Sequence, residues 1–214
     1  MKFCVIGVGR FGHYVAVTLA DHGMEVLAVD SNATIIESIK DRVTQAVCMS
    51  VNDEEALRSI GVEEMDTVIV AMGENFAQSI LVTAILKQRL NIKTVITRSV
   101  SSIHKDILEL IGADMVVLPE REMGIKLADQ LSLSFRTLLR ITPKFSISQI
   151  AAPYKFVGKS LKELDLRENY HVTCVGRKDD DEITHLDHDY IITQEDVLLL
   201  AGNNKDLDKI AKLS

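Results

Sequence analysis

The composition of this chain indicates a globular protein without a membrane span or a nucleic-acid-binding face. It has 214 residues, 47% of them apolar, and a formal net charge of −7. Its longest apolar tracts are strand-sized and the first begins directly after Met1, so we expect neither a signal peptide nor a transmembrane segment, and a cytoplasmic location. No cluster of Lys and Arg is present, which argues against binding to nucleic acid. The three separated cysteines, Cys4, Cys48 and Cys174, each lie among apolar residues and are expected to be reduced core residues.

The first thirty residues contain every part of a nucleotide-binding strand-helix-strand unit. Residues 2–6 predict a buried strand, residues 7–12 read Gly-Val-Gly-Arg-Phe-Gly, a helical pattern follows to Gly23, and residues 25–29 predict a second strand before Asp30. Glycines at G-x-G-x-x-G spacing between strand and helix, with an acid after the next strand, are typical of a dinucleotide-binding turn. The residues of this unit predicted to bind are Gly7, Val8, Gly9, Arg10, Phe11, Gly12, Asp30 and Ser31.

Each part of this unit has a chemical role in the prediction. Gly7 permits the tight turn, Gly9 lets the backbone approach a diphosphate, and Gly12 lets the helix pack close to the strand. The free N–H groups at the start of the helix favour phosphate. Asp30 would accept hydrogen bonds from both ribose hydroxyls and repel a 2′-phosphate, and Arg10 would neutralise a phosphate chain. The alternative is a purely structural turn with a solvent-facing arginine.

Alternating strands and helices predict an α/β fold, a Rossmann-type doubly wound parallel sheet over residues 1–140. Its six strands are predicted at residues 2–6, 25–29, 44–49, 67–72, 94–97 and 115–118. Between them, the predicted helix caps are Ser31 or Asn32, Asn52 or Asp53, and Gly112. The pattern then changes at residues 140–143, and residues 141–214 predict a small α+β domain with a capping box at Ser160 and Glu163.

A long apolar stripe is predicted on the helix that begins near residue 119. Apolar residues recur every three or four positions, which places them on one helical face. The stripe consists of Met123, Leu127, Leu131, Phe135 and Leu138. Because the sheet already has helices enough to cover it, we expect this face to be buried in a homodimer, with ordinary core packing as the alternative.

Further loops at the carboxyl ends of the strands are predicted to complete the pocket, since ligands of such sheets bind there. These residues are Asn52, Asp53, Ala71, Met72, Gly73 and Arg98. The loop at residues 50–53 would frame an adenine ring through backbone groups and the Asn52 amide, and Gly73 would let the chain pass close to the ligand. The alternatives are helix capping for Asn52 and Asp53 and a surface ion pair for Arg98.

No catalytic constellation accompanies the nucleotide turn. A dehydrogenase needs a proton donor and a substrate clamp beside the nicotinamide. The second domain offers Asp and His clusters at residues 179–181 and 185–189, which are typical of solvated turns around a hairpin. We therefore favour a nucleotide sensor, and not an enzyme. An NAD-dependent oxidoreductase with an unrecognised substrate site, or a regulator of another partner, are the alternatives.

Five sequence motifs together resemble a known family. They are FCVIGVGRFG at residues 3–12, VLAVD at 26–30, VIVAMG at 68–73, IGAD at 111–114 and PEREMG at 119–124. The chain resembles the regulator of potassium conductance (RCK) proteins, the cytosolic subunits of bacterial Ktr and Trk potassium uptake systems. The resemblance covers essentially the whole chain, and the single N-terminal and C-terminal unit is most similar to the Ktr type.

This resemblance implies an octameric ring of dimers docked beneath a membrane potassium transporter, at the inner face of the membrane. It implies gating by bound ATP, ADP or NAD(H). It also implies that Arg10 reaches the terminal phosphate across a dimer and that Glu120 helps to hold Mg²⁺ or Ca²⁺ there. In some relatives cyclic di-AMP binds the C-terminal domain, near the segment equivalent to Val157, Arg167 and Tyr170.

Overall fold

The chain folds into two units, Met1–Met123 and Gly124–Ser214. A computed structural model describes residues 1–73, 75–132, 136–180 and 182–213, apart from the side chains of residues 129, 130, 132 and 136–138. The boundary between the two units along the chain falls within a helix, whereas the sequence pattern places a domain division after residue 140, and that division stays a prediction.

Six parallel strands form the sheet of the first unit. They are β1 (Lys2–Ile6), β2 (Glu25–Asp30), β3 (Gln45–Cys48), β4 (Thr67–Val70), β5 (Val95–Arg98) and β6 (Met115–Val117). Their order across the sheet is β3-β2-β1-β4-β5-β6. The chain direction across the sheet therefore reverses between β1 and β4, as in a Rossmann sheet, and the predicted fold class is confirmed.

Helices cover both faces of this sheet. They are α1 (Arg10–Asp21), α2 (Ala33–Ile39), α3 (Glu54–Ser59), α4 (Phe76–Ala84), which continues as a π-helical turn (Ile85–Arg89), and α5 (Ser102–Ile111). Neighbouring residues of β1 face opposite cores: Ile6 packs in one core with Leu57 and Leu86, while Val5 packs in the other with Ala16. Because both faces are buried, the strands are continuously apolar, not alternating.

The predicted caps fix where the helices begin and end. The Asn32 side chain accepts a hydrogen bond from the Thr34 N–H at 2.9 Å, and the Asp53 side chain accepts one from the Ala56 N–H at 2.8 Å. Gly112 ends α5 with a φ of 102°, a left-handed conformation that favours glycine. These contacts place the helix starts just beyond the carboxyl ends of the strands.

The second unit is built on an antiparallel sheet. Its elements are β7 (Arg136–Thr142), β8 (Phe145–Ala151), α7 (Leu161–Leu164), α8 (Leu166–Tyr170), β9 (Val172–Asp179), β10 (Glu182–Thr184), β11 (Val197–Asn203) and α9 (Asn204–Ala211). The strand order is β10-β9-β11-β8-β7. Phe156, Leu198 and Leu207 are fully buried in its core. The predicted capping box is present, since Ser160 and Glu163 each bond to the other's backbone N–H.

The helix that joins the units is shorter than the predicted apolar stripe. This helix, α6 (Pro119–Ser132), ends before Phe135, which lies outside the described residues, and Leu138 belongs to β7. The helical prediction for Leu138 is therefore wrong, because pairing of β7 with β8, from Arg136↔Gln149 to Thr142↔Phe145, outweighs the local helical period. Among the described residues, no helix has both the length and the apolar character needed to cross a bilayer.

The three cysteines have different environments, so the prediction that all of them are core residues holds only in part. All three are free thiols; Cys4 is buried, Cys174 is half-buried and Cys48 is exposed. The core prediction for Cys48 is wrong because it ends β3, which lies at the edge of the sheet. Burial raises the pKa of the Cys4 thiol to about 12.

A buried imidazole makes the first unit sensitive to acid. His104 is fully buried; its Nδ1 accepts a hydrogen bond from the Val100 N–H at 3.4 Å, and its ring lies 4.4 Å from that of Phe76. Burial lowers the pKa of His104, because desolvation disfavours the imidazolium. The stabilisation by neutral His104 is therefore complete above the unfolded-state pKa of about 6.5, and it is lost as pH falls through the lower folded-state value.

We expect the free energy of unfolding to decrease below about pH 6.5 less steeply in His104→Asn than in the unmodified protein. The asparagine amide oxygen can still accept from Val100, but it does not titrate. Urea unfolding at several pH values measures how steeply the free energy of unfolding changes with pH. The control is His22→Gln, which replaces an exposed histidine. Equal slopes for His104→Asn and the unmodified protein would contradict the assignment.

Candidate functional site

A cleft of about 680 Å³ opens at the carboxyl end of the parallel sheet, beside β1 and β4. This is the position where the strand order reverses and where open α/β sheets bind ligands. Most of the predicted residues line it. These are Gly7, Gly9, Arg10, Phe11, Asp30, Ser31, Ala71, Met72, Gly73, Arg98 and Glu120.

The glycines of the turn shape the phosphate end of the cleft. Gly7 has a φ of 90°, and a Cβ there would lie 2.8 Å from Met72 Cγ. A Cβ on Gly12 would lie 2.0 Å from the Gly7 carbonyl oxygen, so glycine lets α1 pack against β1. A Cβ on Gly9 would meet no atom within 4 Å, although Gly9 lines the cleft. Gly9 therefore leaves open space at the start of α1.

The N-terminus of α1 presents hydrogen-bond donors at this place. Gly9 is the N-cap and has no side chain to accept from the helix, and the first intrahelical bond joins the His13 N–H to the Gly9 carbonyl at 2.8 Å. The N–H groups of Arg10, Phe11 and Gly12 thus precede the helical ladder. Such groups and the positive end of the helix dipole favour a phosphate.

Asp30 links the turn to the end of β2. Its Oδ2 accepts a hydrogen bond from the Val8 N–H at 2.7 Å, and its Oδ1 accepts one from the Asn32 N–H at 2.9 Å. Each carboxylate oxygen has a second lone pair, so Asp30 can hold the turn and still accept bonds from two hydroxyls. Asp30 is half-buried at the cleft wall, which suits both roles.

Arg98 extends from the end of β5 across the cleft. Its Nη1 would lie 2.3 Å from a Cβ on Gly73, and its guanidinium carbon lies 5.9 Å from the centre of the Phe11 ring. Its Nη2 donates to the Glu120 carboxylate. The side chain is only 19% exposed, so Arg98 is a wall residue of the cleft and also a member of an ion pair.

Four predicted residues do not line the cleft. Val8 is buried and contributes its N–H to Asp30, and Gly12 acts through packing. Asp53 caps α3, which was the alternative for it. The Asn52 side chain is bonded within the protein: its amide nitrogen donates to Ser50 Oγ at 3.0 Å, and its Oδ1 accepts a bond from α4.

That bond belongs to a residue that sequence reasoning missed. Gln78 lines the cleft, and its Nε2 donates to the Val51 carbonyl at 2.9 Å and to Asn52 Oδ1 at 2.8 Å. Asn75, which caps α4 by accepting from the Gln78 N–H at 3.0 Å, lines it too. The available signal was a long polar side chain in the first turn of a helix that follows a strand of the parallel sheet. Ser50 and Val51, which belong to the loop predicted to frame an adenine ring, also line the cleft. Other lining residues not predicted are Ile6, Val29, Asn32, Ile35 and Met49.

The described residues of one chain do not fit a divalent cation at Glu120. Its carboxylate pairs with Arg98, and the described parts of the chain contain no group of three His, Cys, Asp or Glu residues able to hold a metal ion. Hard cations such as Mg²⁺ and Ca²⁺ require several oxygen ligands. A cation shared between two chains stays a prediction from the resemblance.

Comparison with known proteins identifies the family. Residues 3–119 match the TrkA-N domain and residues 146–214 match the TrkA-C domain. The chain belongs to the TrkA-N/TrkA-C family. This TrkA-N/TrkA-C chain is 34% identical over 214 residues to Ktr system potassium uptake protein C of Bacillus subtilis, covering 99% of this chain and 96% of the relative. It is also 34% identical over 211 residues to Ktr system potassium uptake protein A of the same bacterium, covering 97% and 94%. The predicted resemblance is thus confirmed.

Solved structures show the same fold. The TrkA-N/TrkA-C chain matches the GsuK RCK domain with a TM-score of 0.67 at 16% identity, covering 98% of this chain and 47% of that chain. It matches the GsuK channel bound to NAD with a TM-score of 0.66 at 16% identity, covering 99% and 39%. The TrkA-N/TrkA-C chain therefore spans less than half the length of these GsuK chains.

Proposed function

We propose that this chain is a regulatory subunit of a potassium uptake system, binding an adenine nucleotide in the cleft and controlling potassium flux through a membrane partner. Two relatives that it matches over nearly their full length are named Ktr system potassium uptake proteins. The observation that carries the binding proposal is the open space at Gly9, the N-cap of α1, next to Val8, whose N–H donates to Asp30.

The cleft suggests how the nucleotide lies. Its phosphates occupy the space at Gly9, beside Arg10, and its ribose hydroxyls donate to Asp30. Apolar side chains of Ile35 and Met49 line the remaining end, where an adenine ring is accommodated by packing. ATP, ADP and NAD(H) share this adenosine diphosphate part, so all are candidate ligands.

The control of flux is proposed to act through an assembly of several chains. Met123, Leu127 and Leu131 on α6 are 61%, 53% and 80% exposed in the single chain. Such an apolar face favours burial in a dimer, and dimers assembled into an octameric ring would dock on the membrane partner.

Within this assembly Arg10 is proposed to contact the terminal phosphate of ATP, which ADP lacks, so that the two nucleotides favour different states. Cyclic di-AMP binding near Val157 is a further proposal from the resemblance.

A non-enzymatic role is part of the proposal. Among the described residues that line the cleft, the acids are Asp30 and Glu120, and both have partners within the chain, Asp30 in the turn and Glu120 in the Arg98 pair. The relatives are named for transport, not for a reaction. A nicotinamide oxidation assay with small substrates is expected to show no turnover.

Gly9→Ala tests the binding proposal most directly. Because the added methyl group would fill the proposed phosphate space without meeting protein atoms, we expect ATP and ADP affinity to fall at least about tenfold while the free energy of unfolding changes by less than about 0.5 kcal/mol. Calorimetric titration and urea unfolding measure the two quantities. Potassium uptake in cells that depend on this protein should fall as well.

Gly61→Ala is the control outside the cleft. Gly61 has space for a methyl group, but its φ is 70°, a conformation that disfavours alanine. The substitution should therefore lower the free energy of unfolding without lowering nucleotide affinity. Unchanged nucleotide affinity in Gly9→Ala would contradict the proposed site.

A further inference from the structure

The Arg98–Glu120 ion pair occupies the place where a phosphate chain would meet the cleft wall. Arg98 is the last residue of β5 and lies over Gly73 and the ring of Phe11, which belongs to the first turn of α1. The N–H groups of that turn are the donors proposed for the phosphates. The guanidinium is therefore positioned beside the same ligand group, and its present partner is Glu120.

The two side chains of the ion pair differ in their exposure to solvent. The Arg98 side chain is 19% exposed, whereas that of Glu120 is 66% exposed. Arg98 Nε is buried and has no hydrogen-bond partner among the described residues. An arginine presents five N–H donors in a planar fork suited to a phosphate. The contact with Glu120 therefore leaves Arg98 with further donors for hydrogen bonds to a ligand. The exposed Glu120 carboxylate can return to water at low cost, while Arg98 stays in place.

Building on the proposed function, we propose that Glu120 and the phosphate chain of the nucleotide compete for Arg98. In the free protein Glu120 neutralises Arg98, and a bound phosphate takes the guanidinium and releases the carboxylate. Glu120 thereby lowers the affinity for phosphorylated nucleotides and leaves the affinity for adenosine unchanged. Because Glu120 is the second residue of α6, its release changes the charge partners of the helix that leads into the second unit.

Competition for Arg98 and a role as metal ligand predict opposite effects on nucleotide affinity when the charge of Glu120 is removed. If Glu120 held a divalent cation against the phosphates, removing its charge would weaken nucleotide binding and abolish any dependence on the cation. If Glu120 competes for Arg98, removing its charge strengthens binding, and it does so in the presence of a chelator.

The test is a calorimetric titration of ADP and adenosine into the full chain and four variants, with EDTA and again with Mg²⁺. The variants are Glu120→Gln, Arg98→Met, the double variant, and Glu63→Gln as matched control. Glu63 pairs with Arg58 and does not line the cleft. Methionine keeps an extended side chain over Gly73 and Phe11, and urea unfolding confirms that each variant is folded.

We expect Glu120→Gln to bind ADP about fivefold more tightly, with adenosine unchanged, because loss of one ion pair frees the guanidinium for phosphate. In the Arg98→Met background the same change should have no effect, and Glu63→Gln should behave like the unmodified protein. Unchanged or weaker ADP binding by Glu120→Gln, or a gain that persists without Arg98, would overturn the competition while leaving the proposed function intact. Failure of the unmodified protein to bind ADP and adenosine at all would overturn both.

Discussion

Asp30→Ala is expected to lower the affinity for ATP, ADP and NADH by about 100-fold or more, because two hydrogen bonds to a charged acceptor are each worth about 1.5–3 kcal/mol. The substitution removes the proposed ribose acceptor. It also frees the Val8 N–H, which donates to Asp30 Oδ2 at 2.7 Å, so the turn keeps the bond from the Gly7 N–H to the Val29 carbonyl but loses this second bond to β2. Calorimetric titration of each nucleotide measures the loss.

Asp53→Ala is the matched control for this substitution. Asp53 caps α3 in the neighbouring loop and does not line the cleft, so its removal should cost about 1 kcal/mol of stability and leave nucleotide affinity unchanged. Unmodified protein should bind NADPH far more weakly than NADH, since Asp30 would face the 2′-phosphate. Equal binding of NADPH and NADH, or equal losses in the two alanine variants, would refute the role of Asp30.

Gly12→Ala is expected to lower the free energy of unfolding by about 3 kcal/mol or more, the upper range for overpacking a buried site. The new Cβ would lie 2.0 Å from the Gly7 carbonyl oxygen and 3.1 Å from the Ala71 Cβ. Both are parts of fixed backbone or short side chains, so α1 itself must move away from β1. Urea unfolding followed by circular dichroism measures the change.

Gly124→Ala provides the opposite case in another helix. A Cβ there meets no atom within 4 Å, and Gly124 lies inside α6, so alanine should stabilise the protein by about 0.5–1 kcal/mol through helix propensity. If Gly12→Ala unfolds with the same free energy as the unmodified protein, close packing of α1 on β1 is not the reason for this glycine.

The parts of the fold that sequence reasoning predicted depend on local chemistry. The turn at Gly7, the cap at Asn32 and the stop at Gly112 each rest on a backbone conformation or a hydrogen bond within a few residues. The Rossmann order followed because continuously apolar strands separated by helices have few arrangements. The end of α6 depended instead on the pairing of β7 with β8, and a helical pattern of apolar residues does not reveal that pairing.

Two residues of the cleft, Asp30 and Arg98, were predicted from the sequence, whereas Gln78 was missed. Asp30 and Arg98 end strands of the parallel sheet, so their position at its carboxyl edge is fixed by topology. Gln78 lies in the first turn of α4 and reaches the cleft because that helix packs beside the loop after β3. The Arg98–Glu120 pair brings together two segments of the chain, and it was foreseen only as a general surface ion pair.

Exposure of Cys48 gives this protein a natural attachment point for a spectroscopic probe. The thiolate is the reactive form of cysteine, and burial raises the pKa of both Cys4 and Cys174. A maleimide dye added at neutral pH should therefore react first at Cys48, without any engineering of the sequence. Since Cys48 Sγ lies 3.6 Å from the carbonyl oxygen of Ser31, a residue lining the cleft, the dye's emission would follow the arrival of a ligand in real time.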